Sequence, residues 1–210
     1  MVMPAACPLP IFSTLRLMTN LRLTLASLAL ASFTHAAEVL PIENTKVVVY
    51  GGTPAGIMAA IAAARGGHSV SLVDINAHIG GVVSGGLVAS DTGDRKTVGG
   101  LSDDFFKRIV KYYSEKYGAD SKEFKACRNG ATFEPHVAEL IFEQMVAEQP
   151  SIKIWRNCRY RGVQPEFDRA DGSDRITGLI VDDAVAKTQR TFTGDIFIDA
   201  SYEGDLMAGA

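Results

Sequence analysis

The segment Lys46 to Arg65 constrains this chain more than any other. Lys46-Val47-Val48-Val49-Tyr50 is a short β-branched apolar run, continuous rather than alternating, which predicts a strand covered on both faces in the middle of a parallel sheet. It passes straight into Gly51-Gly52-Thr53-Pro54-Ala55-Gly56 and then into the Ala-rich stretch Ile57 to Arg65, a strong helix former. Strand, glycine turn and helix in immediate succession make a phosphate-binding unit, because backbone N–H groups and a helix start can face a pyrophosphate with no side chain between. Gly51 permits the turn, and Gly56 lets the helix approach the strand. Thr53 stands at the middle glycine of G-x-G-x-x-G, so the fingerprint is imperfect and its context has to support it.

The context does so. Ser69-Val70-Ser71-Leu72-Val73-Asp74 is a second strand ending in a carboxylate 23 residues after Gly51, close to the spacing of about 20 at which a ribose-binding acid follows the glycine turn. Asp74 would accept hydrogen bonds from ribose hydroxyls and would repel a 2′-phosphate, which disfavours NADP.

A plain crossover would lead to the third strand through one short helix. Here the next parallel strand, Ile152-Lys153-Ile154-Trp155, begins 78 residues after Asp74. The interval holds a second glycine cluster, Ile79-Gly80-Gly81 and Ser84-Gly85-Gly86, and two helical stretches. The first is read as Ser102 to Tyr117, with Ser102 as N-cap and Asp103 and Asp104 in the first turn. The second is read as Pro135 to Glu148, with Pro135 at its start and Pro150 beyond its end. Alternation then sets in over residues 159–167, 175–181 and 187–192, with Asp171-Gly172 as a turn, which predicts an antiparallel meander. Ile196-Phe197-Ile198-Asp199 returns to the parallel sheet. The fold class is α/β: a Rossmann-like parallel sheet with a helical insertion and an antiparallel meander.

From Val47 onward the chain resembles the FAD-dependent oxidoreductase family, within the glutathione-reductase-like two-dinucleotide-binding flavoproteins. The likeness rests on residues 49–56, on His78-Ile79-Gly80-Gly81 with Ser84-Gly85-Gly86-Leu87, on Phe133-Glu134-Pro135-His136-Val137-Ala138-Glu139, and on Ile198-Asp199-Ala200-Ser201-Tyr202-Glu203-Gly204-Asp205-Leu206-Met207. It implies FAD as cofactor. Gly51, Gly52, Thr53, Pro54, Ala55 and Gly56 would hold the pyrophosphate, and Asp74 the adenosine ribose. Gly80 and Gly81 would lie along the pyrophosphate and ribityl chain. Tyr160 matches a position whose backbone touches adenine, and Ala200 and Asp205 belong to the segment that closes under the flavin side. For Glu203 and Asp205 a helix cap and first-turn acid is an equal reading. The resemblance also implies that family members continue past Ala210 into a substrate lobe, so the FAD-binding part is expected to be an N-terminal portion, incomplete at its C-terminus.

Composition separates the first 37 residues from the rest. Every one of the 20 glycines lies at or after Gly51, and before Glu38 the charges are Arg16 and Arg22 alone. Arg22, the apolar run Leu23 to Phe33 and the small residues Ala36-Ala37 read as a Sec-type signal peptide spanning residues 1–36, followed by an FAD-binding domain over residues 37–210. The apolar run is too short for a membrane span, which needs about 20 residues, so no stable anchor is expected after cleavage. The chain is expected in the periplasm or secreted. Its net charge of −3 gives no reason to expect nucleic acid, and a small-molecule substrate is the expected partner.

Past the leader Cys127 and Cys158 remain, enough for at most one disulfide. No Cys/His spacing suggests a metal site. The glycine turns lack the Lys-Ser/Thr of a P-loop, and Ser84 is not in G-x-S-x-G. His136 starts a helix in a family-like motif, and capping or packing is its commoner role. The sequence thus points to an exported FAD-dependent oxidoreductase that takes a hydride from a small organic substrate. Two alternatives stay open: a truncated, non-catalytic FAD-binding fragment and a NAD-binding dehydrogenase. No residue identifies a catalytic acid or base.

Overall fold

Four parallel strands, β2 (Val47–Tyr50), β3 (Val70–Val73), β4 (Ile152–Trp155) and β8 (Ile196–Asp199), lie in the order β4-β3-β2-β8. The structure is a computed structural model and describes residues 42–91, 93–166 and 175–210. The leader and the Asp171-Gly172 turn lie outside the described residues. β2 is interior, as its unbroken apolar run requires: Val47 and Val49 pack toward the helices, while Val48 and Tyr50 pack toward the second sheet. All four are buried, at about 1.5–3 kcal/mol for each fully buried Val-sized side chain.

One face is covered by α1 (Pro54–Arg65), α3 (Gly100–Tyr117) and α5 (Pro135–Ala147). Ile57, Ala60, Ile61 and Ala64 give α1 an apolar stripe at helical spacing. Phe105 of α3 stacks on Phe142 of α5, with ring centroids 4.4 Å apart. Tyr113 of α3 donates its hydroxyl proton to Glu134 Oε2 at 2.8 Å and accepts the Glu134 N–H at 3.0 Å. Burial pushes the Tyr113 hydroxyl up to about 12. Glu134 therefore fastens two helices together, whereas the neighbouring His136 is exposed.

The helix read from Ser102 begins earlier. α3 starts at Gly100 after the Gly99 cap, and Asp103 N–H closes the first turn on the Gly99 carbonyl at 3.3 Å. Ser102 lies inside that turn. The glycine pair admits the entry, and Asp103, bound by Arg95 at 2.9 Å and Lys107 at 2.7 Å, holds it.

The other face carries the meander β5 (Cys158–Glu166), β6 (Arg175–Asp183) and β7 (Thr188–Thr193), antiparallel throughout. A short strand not expected from the sequence, β1 (Ile42–Asn44), adds to β7 in parallel. Arg190 secures this edge by binding Glu43 at 3.3 Å and Asp183 at 3.2 Å while its guanidinium lies 4.4 Å from the Trp155 ring. Cys127 and Cys158 are both buried and free. Cys158 is fully buried, its thiol donates to the Arg156 carbonyl at 3.4 Å, and burial, first among the causes, pushes it up to about 11.

Candidate functional site

The site forms where β2, β3 and β8 end on the same side of the sheet, the position at which open α/β sheets bind ligands. A cleft of about 170 Å³ opens there, lined by Gly51, Thr53, Asp74, Asn76, Gly81, Arg159 and the 201–205 turn among others.

The glycine turn is built by close approach. Gly51 has φ +109°, and a side chain there would stand 2.6 Å from the Ala200 and Ser201 backbone. A Cβ on Gly56 would fall on the Gly51 carbonyl oxygen, and one on Gly52 would fall on the Asp74 carboxylate. Thr53 caps α1: its hydroxyl oxygen accepts the Gly56 N–H at 3.2 Å and its proton goes to the Ala200 carbonyl at 2.8 Å. Pro54 follows at the first helical position and has no N–H to satisfy. Ala55 is left as the first-turn amide with no partner among the described residues.

Asp74 is 4% exposed. Its Oδ1 accepts the Asn76 backbone N–H at 2.9 Å and the Asn76 side-chain amide at 3.3 Å. Burial leaves its carboxyl above the ordinary carboxylate range, although the amides of Asn76, Gly52 and Ile75 pull the other way. A buried carboxylate facing a glycine turn, with no cation paired to it among the described residues, is a group kept at a cost to the fold.

The second glycine cluster reaches the first directly. Gly80 N–H donates to the Gly52 carbonyl at 2.6 Å. Gly80 has φ +104° and packs so tightly that a Cβ would lie 2.7 Å from the Phe142 ring. The short helix α2 (Gly81–Ser84) follows, its Ser84 hydroxyl donating to the Ile79 carbonyl at 2.6 Å. The helical core, through Phe142, thus sets where this loop meets the glycine turn after β2.

The third wall is the turn after β8. Asp199 Oδ1 accepts the Ser201 N–H at 2.9 Å and its hydroxyl at 2.7 Å, while Oδ2 accepts the Met207 N–H at 2.8 Å. Burial works to raise the Asp199 carboxyl, yet these donors together hold it below the usual range. Asp205 opens the helix α6 (Asp205–Ala208), whose cap is Gly204, so the first-turn reading of Asp205 holds and Glu203 precedes the cap.

The cleft gathers Gly51, Thr53, Asp74, Gly81 and Asp205, with Gly52, Gly56, Gly80 and Ala200 packed against them, whereas Pro54 and Ala55 line a neighbouring cavity beside Met58 and Phe142. Tyr160 lies beside it in β5, its N–H donating to the Tyr50 hydroxyl at 2.9 Å and its ring 6.0 Å from that of Tyr50. Its neighbour Arg159 lines the cleft instead, the basic side chain among the carboxylates of Asp74, Glu203 and Asp205. Tyr202 lines it too. The sequence offers Tyr202 no signal beyond membership of the motif from Ile198 to Met207, and Arg159 none beyond its place next to Tyr160.

These features fit FAD. The two glycine clusters keep side chains off the backbone at the cleft, as a pyrophosphate would require, and Asp74 presents a carboxylate at the end of β3 for a ribose. The profile described as FAD dependent oxidoreductase matches residues 46–210. No curated protein matches the chain. Among solved structures, the THI4 protein of Thermovibrio ammonificans is similar over 95% of this chain and 70% of that one, at 14% identity and a TM-score of 0.51. The 3-ketosteroid Δ1-dehydrogenase of Sterolibacterium denitrificans covers 76% of this chain at 11% identity and a TM-score of 0.48. The p-nitrophenol 4-monooxygenase of Pseudomonas putida covers 79% at 12% identity and a TM-score of 0.48. The chain spans under half of each of those two, 48% and 44%. At such identity the first likeness bears on the fold alone. Fold, glycine clusters and profile agree, and the chain belongs to the FAD dependent oxidoreductase family, whose cofactor is FAD.

Proposed function

We propose that this chain is the FAD-binding part of an exported oxidoreductase acting on a small organic substrate. The observation that carries the binding site is the hydrogen bond from Gly80 N–H to the Gly52 carbonyl, which joins the two glycine clusters into one backbone surface. The residues divide the work. Gly51 and Gly52 keep side chains away from the pyrophosphate and the Ala55 amide is left to donate to it, with Thr53 and Pro54 fixing the helix start. Asp74 accepts from the adenosine ribose, and its charge excludes a 2′-phosphate. Gly80 and Gly81 bring backbone along the ribityl side. Ala200 and Asp205 close the turn beneath the cofactor, and Arg159 offsets the carboxylates at the mouth. When bound, the flavin supplies two-electron redox chemistry, accepting a hydride from the substrate.

Export is supported by the leader pattern of Arg22, Leu23 to Phe33 and Ala36-Ala37. The test is to express the full chain in a secreting host, determine the N-terminus of the exported protein, reconstitute it with FAD and pass it through gel filtration. The expected result is a new N-terminus at Ala37 and FAD co-eluting with the protein. Retention of Met1 in the cytoplasm would remove the export reading, and elution free of FAD would remove the cofactor site.

A further inference from the structure

The turn after β8 carries a side chain that no part of the site accounts for. Tyr202 is 59% exposed. It lies against Gly81, where a Cβ would collide with its hydroxyl, and the hydroxyl oxygen accepts the Val82 N–H at 3.0 Å. Gly81 has φ +52°, so both its backbone shape and the space beside it suit this one phenol.

A phenol carries one proton to donate and oxygen lone pairs to accept. One lone pair of Tyr202 is taken by Val82, and its proton has no acceptor among the described residues. The other short donors lining the cleft are spent. The Thr53 hydroxyl goes to Ala200, the Ser201 hydroxyl to Asp199, and the Asn76 amide to Asp74. Tyr50 is buried beneath the cleft at 3% exposure.

Charge makes the Tyr202 proton matter. Asp74, Glu203 and Asp205 line the same cleft, with Arg159 as the cation. A pyrophosphate brought among three carboxylates needs donors that carry no negative charge of their own, and charge-assisted hydrogen bonds are the strong ones.

We propose that Tyr202 is a cofactor-binding residue whose hydroxyl, set in place by Val82 N–H, donates its proton to a pyrophosphate oxygen of FAD. The assignment rests on the FAD site described above. It makes the glycine loop and the turn after β8 two halves of one clamp on the phosphates, with Gly81 conserving room for the phenol ring between them.

The test is Tyr202→Phe in the full chain, which keeps the ring and removes the proton. Affinities for FAD, ADP and adenosine are measured by calorimetric titration, with the melting temperature of the unliganded protein as a control. The expected result is a loss of about tenfold or more for FAD and for ADP, the fold-change of one hydrogen bond to a charged group. Adenosine, which has no phosphate, should bind as before, and the melting temperature should hold. Unchanged FAD affinity overturns the assignment. So does an equal loss for adenosine, which would mean a general distortion, or tighter binding, which would mean that the ring merely covers the cleft. Wild-type protein without FAD affinity would instead overturn the site itself and this assignment with it.

Discussion

Thr53 donates its hydroxyl proton to the carbonyl oxygen of Ala200 across 2.8 Å, latching the turn after β2 to the turn after β8. The Thr53 hydroxyl oxygen also caps α1 by accepting the Gly56 N–H. The residue that makes the glycine fingerprint imperfect is thus the one that ties two walls of the cleft together. Thr53→Gly restores the fingerprint and removes both bonds. It should destabilise the unliganded chain by about 1–2 kcal/mol, since a glycine keeps most of the cap and the latch is worth about one neutral hydrogen bond. Thr53→Ser should lose much less. Urea denaturation distinguishes them; equal stability of all three proteins would mean that the latch contributes nothing.

Two glycines in the same turn should fail in different ways. A Cβ on Gly56 meets the Gly51 carbonyl, which is backbone and cannot move without opening the turn. A Cβ on Gly52 meets the Asp74 carboxylate, a side chain that can rotate aside. Gly56→Ala should therefore cost several kcal/mol and yield little folded protein, in the range of overpacked cores and strained backbone, roughly 1–3 kcal/mol for each. Gly52→Ala should fold and lose affinity for FAD and adenosine alike, because the ribose acid is displaced. Circular dichroism and ligand titration of the two variants read this out, and a reversed order would contradict it.

Asp74 links stability to binding with opposite signs. Burial raises its carboxyl above the ordinary 3.8, so folding favours the neutral acid. The stability this gives is fully present below that ordinary value and is lost as pH rises through the raised one. At neutral pH the unliganded fold holds a buried carboxylate at a cost. Asp74→Asn should accordingly leave the melting temperature at pH 7 unchanged or higher while weakening FAD about tenfold or more, the loss of a charged hydrogen-bond acceptor. Wild type should gain on the variant as pH is lowered toward 4. A variant that melts earlier at pH 7 and binds FAD normally would assign Asp74 a purely structural role.

Asp199 behaves in the reverse sense. Although burial raises it, the amides of Met207, Ser201 and Leu206 and the Ser201 hydroxyl outweigh burial and hold it low. Its stabilisation is present above the unfolded value and is lost as pH falls through the folded one. Melting curves from pH 6 down to about pH 2 should show acid destabilisation that Asp199→Asn flattens, because the variant has already lost the charge. Parallel profiles for the two proteins would show that the turn does not depend on that charge.

What the sequence made legible was local. The continuous run at Val47 to Tyr50 signalled an interior parallel strand, because both of its faces are buried. The alternation after Cys158 signalled the meander, because one face of that sheet is open. Asp74 was found from its spacing alone. The parts that escaped depend on partners far along the chain. Ile42–Asn44 is a strand because β7 offers it an edge across roughly 150 residues, and three residues carry no periodicity of their own. α3 begins before Ser102 because two glycines and Arg95 set its first turn. Thr53 stands where the fingerprint has a glycine, and its role depends on Ala200, which lies 147 residues further along the chain. Tyr202 lies inside the motif from Ile198 to Met207 and Arg159 next to Tyr160, but neither carries a sequence signal for a role of its own, and the fold puts them in the cleft.

The most direct test of the whole account is a thermal-shift titration of the purified chain with FAD, NAD and NADP in parallel. A ligand at about 100 times its Kd stabilises by about 2.7 kcal/mol, which for a chain of this size raises the melting temperature by roughly 5–10 °C. The account predicts that rise with FAD, a much smaller one with NAD, and none with NADP because of Asp74. Equal protection by NAD and FAD, or no protection by FAD at saturating concentration, would contradict it.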